Sequence, residues 1–161
     1  MLVNYNKIPD NAKAWIYPSS RKFYTTEIEG LHDKITAFLS SWKKEDTDFQ
    51  SAFQVHYNRF VVLFTYDPEA SLTSQEIDES VAFIIQLQNE YQVELLDKMN
   101  VCFKQGSFVQ YKELKDFKKL LKDKALTEKT IVFDNLVTSK EEFENYWEVP
   151  IYESWYGRFL K

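Results

Sequence analysis

The sequence predicts a single α+β domain over residues 1–161, with about four helices packed on a mainly antiparallel or mixed sheet. Two observations predict this class. Segments with the period-2 alternation or β-branched character of strands alternate along the chain with segments whose apolar residues recur at helical spacing. Hydrophobic residues make up 44% of the chain and aromatic residues 17%, so there is material for one core at this length.

The first strand is predicted at residues 14–17 and ends at Pro18, because proline has no amide to donate to a ladder. A helix follows, with a capping-box pattern at Thr26 and Glu29. Its apolar face comprises Ile28, Leu31, Ile35, Phe38, Leu39 and Trp42. Gly30 inside a helix costs about 1 kcal/mol relative to Ala, so it either lies near the first turn or permits close packing.

Residues 51–66 predict two strands joined by a tight turn near Asn58. The first strand alternates apolar and polar residues, whereas residues 60–64 are continuously apolar, as in a central strand. Thr73 and Glu76 form a second capping box. The helix that it opens has one apolar face, made by Ile77, Val81, Ile84 and Ile85.

The second half predicts a strand at residues 99–103, a turn and a partner strand at 108–111. A third helix is marked by Leu114, Phe117, Leu120 and Leu121, and another strand by residues 130–133. Ser139 with Glu142 opens a fourth helix, and the end of the chain reads as aromatic and irregular. The first six elements, β-α-β-β-α-β, match the split arrangement of a ferredoxin-like core, which is one alternative topology.

Composition excludes several classes of function. The three glycines, Gly30, Gly106 and Gly157, are too few and too far apart for a phosphate loop, a dinucleotide fingerprint or a nucleophile elbow. A net charge of −5 disfavours general binding to a nucleic-acid backbone. Neither a cofactor nor a nucleic-acid partner is therefore predicted.

Cysteine and histidine are also scarce. The single Cys102 excludes an internal disulfide, favours a reducing compartment and is expected to be buried and inert. His32 and His56 are expected at the surface or its boundary, and with one cysteine they make no zinc site, so no metal is predicted. No signal peptide and no apolar run of about 20 residues is present, so we expect a cytoplasmic protein with no membrane partner.

The charged residues are unevenly distributed. Residues 112–124 carry six lysines against three acids, which is typical of a solvated helix face; the alternative is a surface for an anion or an acidic partner. Arginine is rarer, and each of Arg21, Arg59 and Arg158 lies near aromatic residues in sequence. The planar guanidinium suits bidentate contacts with carboxylate or phosphate.

These arginines are either structural or contacts for an anionic ligand. One hypothesis is that Arg59, Arg158 and Asp78 share a cleft. The candidate ligand-binding residues are Arg21, Arg59, Asp78, Trp155 and Arg158. The aromatic tail at residues 147–160 either packs on the core or covers a partner chain, as in a homodimer. Deletion of residues 149–161 distinguishes the two, because only the second alternative changes the oligomer size.

Several segments together resemble a family of small, uncharacterised bacterial proteins that often carry the description ABC transporter ATPase. The resemblance covers nearly the whole chain, in segments 14–23, 58–60, 77–81, 95–101, 131–137 and 148–155. ATPases of that class resemble a strand–GxxxxGKS/T–helix unit, and this sequence contains no such loop. The resemblance therefore does not predict a P-loop ATPase.

This chain also departs from the pattern of that family. Glu45-Asp46 stands where other members show His-Gly, residues 74–76 stand where they show Gly-Cys-Ser, and Tyr156 stands where they often show His. If the family had a Cys/His chemistry, those would be its nucleophile and base. The resemblance then implies that the family is not enzymatic or that this member has lost or relocated the activity.

The sequence predicts a binding or interaction protein, with a protein partner or a small anionic ligand. The alternative is a hydrolase or transferase that uses Asp78 with Arg59 or Arg158. Whether the protein is an enzyme is left open. A pocket of roughly 300–1,000 Å³ favours a ligand, and a flat apolar patch favours a protein partner.

Overall fold

The computed structural model describes residues 1–44, 48–69 and 72–160. Glu45 and Asp46, at which the chain departs from the family pattern, lie outside the described residues. Over the described ranges, the protein has an α+β fold with four α-helices and two antiparallel sheets, of three and four strands. The predicted fold class and the predicted order of elements through the fourth helix are confirmed.

The first sheet contains β1 (Lys13–Pro18), β2 (Gln50–His56) and β3 (Phe60–Tyr66) in the order β1-β3-β2. Both outer strands run antiparallel to β3, so β1 and β2 are parallel to each other, as in a split βαβ unit. Helices α1 (Thr25–Ser41) and α2 (Ser74–Tyr91) cover one face of this sheet. The predicted central strand is β3, which is buried on both faces because α1 and α2 cover one side and the second sheet the other.

The second sheet contains β4 (Val101–Gln105), β5 (Phe108–Lys112), β6 (Ile131–Phe133) and β7 (Glu148–Pro150), in the order β5-β4-β6-β7. Since β4 pairs here with β5 and β6 and not with β1, the ferredoxin-like arrangement extends only from β1 to α2. The other helices are α3 (Leu114–Lys122) and α4 (Lys140–Tyr146).

Three apolar clusters separate the layers. On β3, Val61 and Leu63 face α1 and α2, whereas the alternate residues face a middle cluster between the two sheets. That middle cluster takes residues from both sheets and from α4, among them Phe60, Phe64, Cys102, Phe133, Phe143 and Trp147. The third cluster lies on the far face of the second sheet, where Phe103 packs with Phe117 of α3 and Tyr156 of the tail.

The tail is more regular than the sequence indicates. It forms β7 and two 3₁₀ turns, Ile151–Glu153 and Trp155–Phe159. Ile151 and Tyr156 are buried in the third cluster, so the tail packs on its own core. The prediction of an irregular end is wrong because β7 gains its partner, β6, only through tertiary contact. A homodimer through this tail stays a prediction.

One predicted helix start is displaced. The capping box at Thr26 and Glu29 is wrong: the N-cap of α1 is Tyr24, two residues earlier, and Glu27 accepts a hydrogen bond from the Tyr24 amide at 2.8 Å. The other two starts are confirmed. Glu76 accepts from the Thr73 amide at 3.2 Å, and the Ser139 hydroxyl accepts from the Glu142 amide at 3.1 Å.

Cys102 is buried in the middle cluster, as predicted. Burial raises the pKa of its thiol to about 12, so the thiol is protonated at neutral pH and a poor nucleophile. Within the residues described, no helix is both long and apolar enough to cross a bilayer.

Candidate functional site

Arg21 is a structural residue. Its guanidinium donates to both carboxylate oxygens of Glu27, at 3.0 and 3.2 Å, and to the Tyr91 carbonyl at 2.6 Å. It also lies 4.4 Å from the ring centre of Tyr24. The hydrogen bonds with Arg21 lower the pKa of Glu27. The Arg21 side chain therefore joins the start of α1 to the end of α2 and has little capacity left for a ligand.

Arg158 and Trp155 contact each other within the tail. The guanidinium carbon lies 4.1 Å from the Trp155 ring centre, and Nε donates to the Trp155 carbonyl at 3.1 Å. The tail packs on the third cluster, whereas Asp78 is exposed on α2, which packs on the first. Arg59, described next, belongs to the middle layer, so these contacts do not bring the three charged groups together.

Arg59 lines a cleft of about 370 Å³ between the tips of two hairpins, one from each sheet. We call it the hairpin cleft. The β2–β3 turn supplies one wall, the β4–β5 turn supplies the other, and the loop after β1 contributes a lysine. The lining residues are Lys22, Tyr57, Asn58, Arg59, Ser107, Phe108 and Val109.

The backbone around the hairpin cleft is held in place from two sides. Tyr57 and Asn58 have φ angles of 56° and 50°, the left-handed conformation of a tight hairpin turn, and Gly106 in the facing turn has a φ of 62°. A left-handed Tyr is strained, and such strain is concentrated at functional sites. The Asn58 carbonyl accepts from the Phe23 amide at 2.7 Å, and the Arg59 carbonyl accepts from the Ser19 amide at 3.0 Å.

The electrostatic state of Arg59 sets this cleft apart. Its Nη1 donates to the Val109 carbonyl at 2.8 Å, and its buried Nε has no acceptor among the described residues. Burial lowers the pKa of Arg59, which Cys102 and Tyr111 offset only in part, and no carboxylate of the described residues contributes. Within the described part of the chain, Arg59 is thus a half-buried cation that uses one of its five N–H donors, in contrast to Arg21.

Three more polar side chains in the cleft are unpaired. Within the described part of the chain, the Lys22 ammonium, the Asn58 amide and the Ser107 hydroxyl have no side-chain hydrogen bond or ion pair. Lys22 is exposed, and the bonds that fix Phe23 and Ser19 hold its loop against the β2–β3 turn. The cleft therefore presents two cations and further donors that its own residues do not satisfy.

A second polar group adjoins the cleft at Tyr57. The Tyr57 hydroxyl donates to the Glu148 carboxylate at 2.8 Å, and Lys104 forms an ion pair with the same carboxylate. Desolvation and the bond to Glu148 raise the pKa of Tyr57, so it stays protonated. Glu148 is paired with Lys104, and neither Arg59 nor Lys22 has an ion pair with a carboxylate of the described residues.

Two other clefts do not combine a half-buried arginine with a second cation. A larger one, about 580 Å³, lies between the N-terminal segment and α1, and Lys7 is its charged lining residue. A groove of about 350 Å³ between α1 and α2 has an apolar floor that includes the stacked rings of Phe38 and Phe83, but its Lys34 and Glu90 form an ion pair at 2.8 Å.

The histidines and the lysine-rich helix are placed as the sequence predicts. His32 is exposed beside Phe53, and His56 is half-buried, where burial lowers its pKa and Gln54 lies 2.6 Å from Nε2. The lysines of α3 are exposed, and Lys118 lies over the Phe159 ring. Among the described residues, no group of three or more His, Cys, Asp and Glu side chains is arranged to hold a metal ion.

Of the five candidate residues named from the sequence, only Arg59 lines the hairpin cleft. Lys22, Asn58 and Ser107 were missed as site residues. A turn near Asn58 and one near Gly106 were predicted, so the signal available was two hairpin tips, but nothing in the sequence showed that the tips meet. No family model, curated protein or solved structure matches this chain. Function is therefore inferred from the chemistry of the cleft.

Proposed function

We propose that this protein binds a small anionic ligand in the hairpin cleft, with Arg59 as the principal cation. The observation that carries the proposal is the half-buried Arg59 guanidinium with no carboxylate partner among the described residues. Removing a cation from water is costly unless an anion or hydrogen-bond acceptors replace the water. An anionic ligand would supply the negative charge and the hydrogen-bond acceptors together.

The surroundings of Arg59 favour a ligand over a purely structural role. A structural arginine in this protein, Arg21, has a bidentate carboxylate and a carbonyl. Arg59 has one carbonyl, and it lines a cleft whose volume of about 370 Å³ is that of a small-molecule site. Lys22 adds a second positive charge at the same opening.

The alternative hydrolase or transferase that uses Asp78 has less support. The residues that line the hairpin cleft carry no carboxylate, imidazole or thiol, so the described lining supplies no obvious general base or strong nucleophile. Binding needs only the donors that are present. We therefore propose a binding function and not a catalytic one.

A titration of the full chain with inorganic phosphate tests the proposal. Amide NMR shifts are expected to change at Asn58, Ser107 and Val109, and the same titration of Arg59→Met is expected to show no change there. Arg59→Lys keeps the charge without the planar fork and should weaken binding without abolishing it. Circular dichroism verifies that each variant is folded.

Arg158→Met is the matched control, because Arg158 is an exposed arginine outside the cleft. It should bind phosphate as the unchanged protein does. Shifts that persist in Arg59→Met, or that map to the exposed lysines of α3, would contradict the proposal.

We also propose that the protein works in the cytoplasm. The support is its single cysteine, Cys102, which is buried as a free thiol and so depends on no oxidising environment. Cell fractionation tests this location, and recovery in a secreted or membrane fraction would contradict it.

A further inference from the structure

We infer that the ligand group recognised in the hairpin cleft is a doubly charged phosphomonoester and not a singly charged carboxylate or phosphodiester. This inference rests on the proposed anion-binding function and specifies its ligand. It follows from three properties of the cleft: its balance of donors and acceptors, its charge and its size.

The cleft is rich in donors. A guanidinium has five N–H donors and no acceptor, and at Arg59 one of these donates to the Val109 carbonyl. Lys22 adds three donors, and the Asn58 amide and the Ser107 hydroxyl add others. A terminal phosphate presents three strong acceptor oxygens, whereas a carboxylate presents two. The surplus of donors therefore matches the group with more acceptors.

The charge of the cleft points the same way. Its lining contains the cations Arg59 and Lys22 and otherwise neutral side chains. The Glu148 carboxylate contacts the lining residue Tyr57, and Lys104 neutralises this carboxylate through an ion pair. Two positive charges are balanced by a dianion, and a phosphomonoester carries a charge between −1.5 and −2 at pH 7. A carboxylate or a phosphodiester would leave about one positive charge uncompensated.

The size of the cleft leaves space beyond the phosphate itself. A volume of about 370 Å³ falls in the range of small-molecule sites. At one wall the Tyr57 hydroxyl donates to the Glu148 carboxylate, and the exposed Phe108 adds an apolar edge. The substituent of the phosphomonoester has these aromatic groups to contact.

The test compares four probes by calorimetry with the full chain at pH 7.5: methyl phosphate, dimethyl phosphate, acetate and sulfate. Methyl phosphate is expected to bind about tenfold more tightly than dimethyl phosphate or acetate, because charge-assisted hydrogen bonds strengthen with ligand charge. Sulfate, a dianion with tetrahedral geometry, is expected to bind closer to methyl phosphate than to acetate.

Two further measurements sharpen the test. Lys22→Met is expected to weaken the binding of methyl phosphate more than that of dimethyl phosphate. The ratio of the two affinities should therefore fall. Lowering the pH from 7.5 to 5 is expected to weaken the binding of methyl phosphate, because the second pKa of a phosphomonoester lies near 6. The affinity for dimethyl phosphate should not change.

The outcomes separate this inference from the proposed function. If all four probes bind equally and Arg59→Met abolishes them, the cleft is a general anion site and the phosphomonoester inference is wrong. If no probe binds in a way that depends on Arg59, both the phosphomonoester inference and the proposed anion-binding function are wrong. A stronger affinity for acetate than for methyl phosphate would also overturn the inference.

Discussion

Arg21 and Arg59 lie on two sides of one backbone junction, where the loop after β1 hydrogen-bonds to the β2–β3 turn, yet their surroundings are opposite. Arg21 binds Glu27 through both carboxylate oxygens and also the Tyr91 carbonyl. Arg59 binds one carbonyl, has a buried Nε without an acceptor among the described residues, and has no described carboxylate near it.

The different surroundings of Arg21 and Arg59 show that an arginine next to aromatic residues in the sequence has no fixed role. At the α1 start, the ion pair of Arg21 orders two helix ends. At the hairpin cleft, Arg59 carries a charge that no carboxylate of the described residues compensates. The first arrangement stabilises the fold in the absence of any ligand, whereas the proposed function implies that the second becomes stabilising when an anion is bound.

The largest expected effect is a contrast in stability. Arg21→Met should lower the free energy of unfolding by about 1.5 kcal/mol, since it removes charge-assisted bonds and leaves Glu27 unpaired, discounted for partial exposure. Arg59→Met, measured without phosphate, should change it by less than about 0.5 kcal/mol, because it removes an uncompensated charge. Urea denaturation followed by circular dichroism measures both. Equal losses in the two variants would remove the distinction between the regions.

A backbone change at the cleft should have the next largest effect. Gly106 has a φ of +62°, and an added Cβ meets no atom within 4 Å, so Gly106→Ala tests conformation without a steric clash. We expect a loss of about 1 kcal/mol from the left-handed backbone. Phosphate binding should also weaken, because Ser107 follows in the turn. Thermal unfolding with and without phosphate measures both effects, and unchanged binding would mean that the β4–β5 turn does not contribute.

Gly30 in α1 gives the matched substitution near the other region. A Cβ there would lie 3.5 Å from Lys34 Nζ and 3.6 Å from Tyr91 Oη, which are ordinary contacts. Gly30→Ala should therefore stabilise the protein by about 0.7 kcal/mol through helix propensity. Phosphate affinity should not change. A destabilised variant would show that the Lys34–Tyr91 contact at 3.0 Å needs the space.

The smallest expected effect is a pH dependence of the stabilisation that Arg21 provides. The ion pair lowers the pKa of Glu27 in the folded protein, so its contribution is present above the ordinary carboxyl pKa near 4.3 and is lost as the pH falls through the lowered value. The stability difference between the unchanged protein and Arg21→Met should narrow by about 0.5 kcal/mol from pH 6 to pH 3. The corresponding difference for Arg59→Met should stay constant, since no carboxylate of the described residues acts on Arg59. Urea denaturation at both pH values checks this, and a parallel change in the two variants would contradict it.

Much of the fold was predictable because it depends on local patterns. The apolar spacing of Leu31, Ile35 and Leu39 specifies the buried face of α1, and the continuous apolar run of β3 specifies a strand covered on both sides. The N-cap at Ser139 was predictable because it depends on two residues three positions apart in the sequence. The start of α1 was misplaced because the Arg21–Glu27 pair, not the Thr26 pattern, organises that end.

The sequence by itself determined the fold class, the order of strands and helices through the fourth helix, the buried thiol of Cys102 and the scarcity of glycine that excludes a phosphate loop. The tertiary structure alone decided that β4 begins a second sheet, that β7 exists, and that Arg21 has a carboxylate partner while Arg59 has none among the described residues. Periodicity and composition act within a few residues, whereas sheet partners, burial and ion pairs join residues far apart in the chain. The candidate site belongs to the second group, because Arg59 and Ser107 meet only when the two sheets pack face to face.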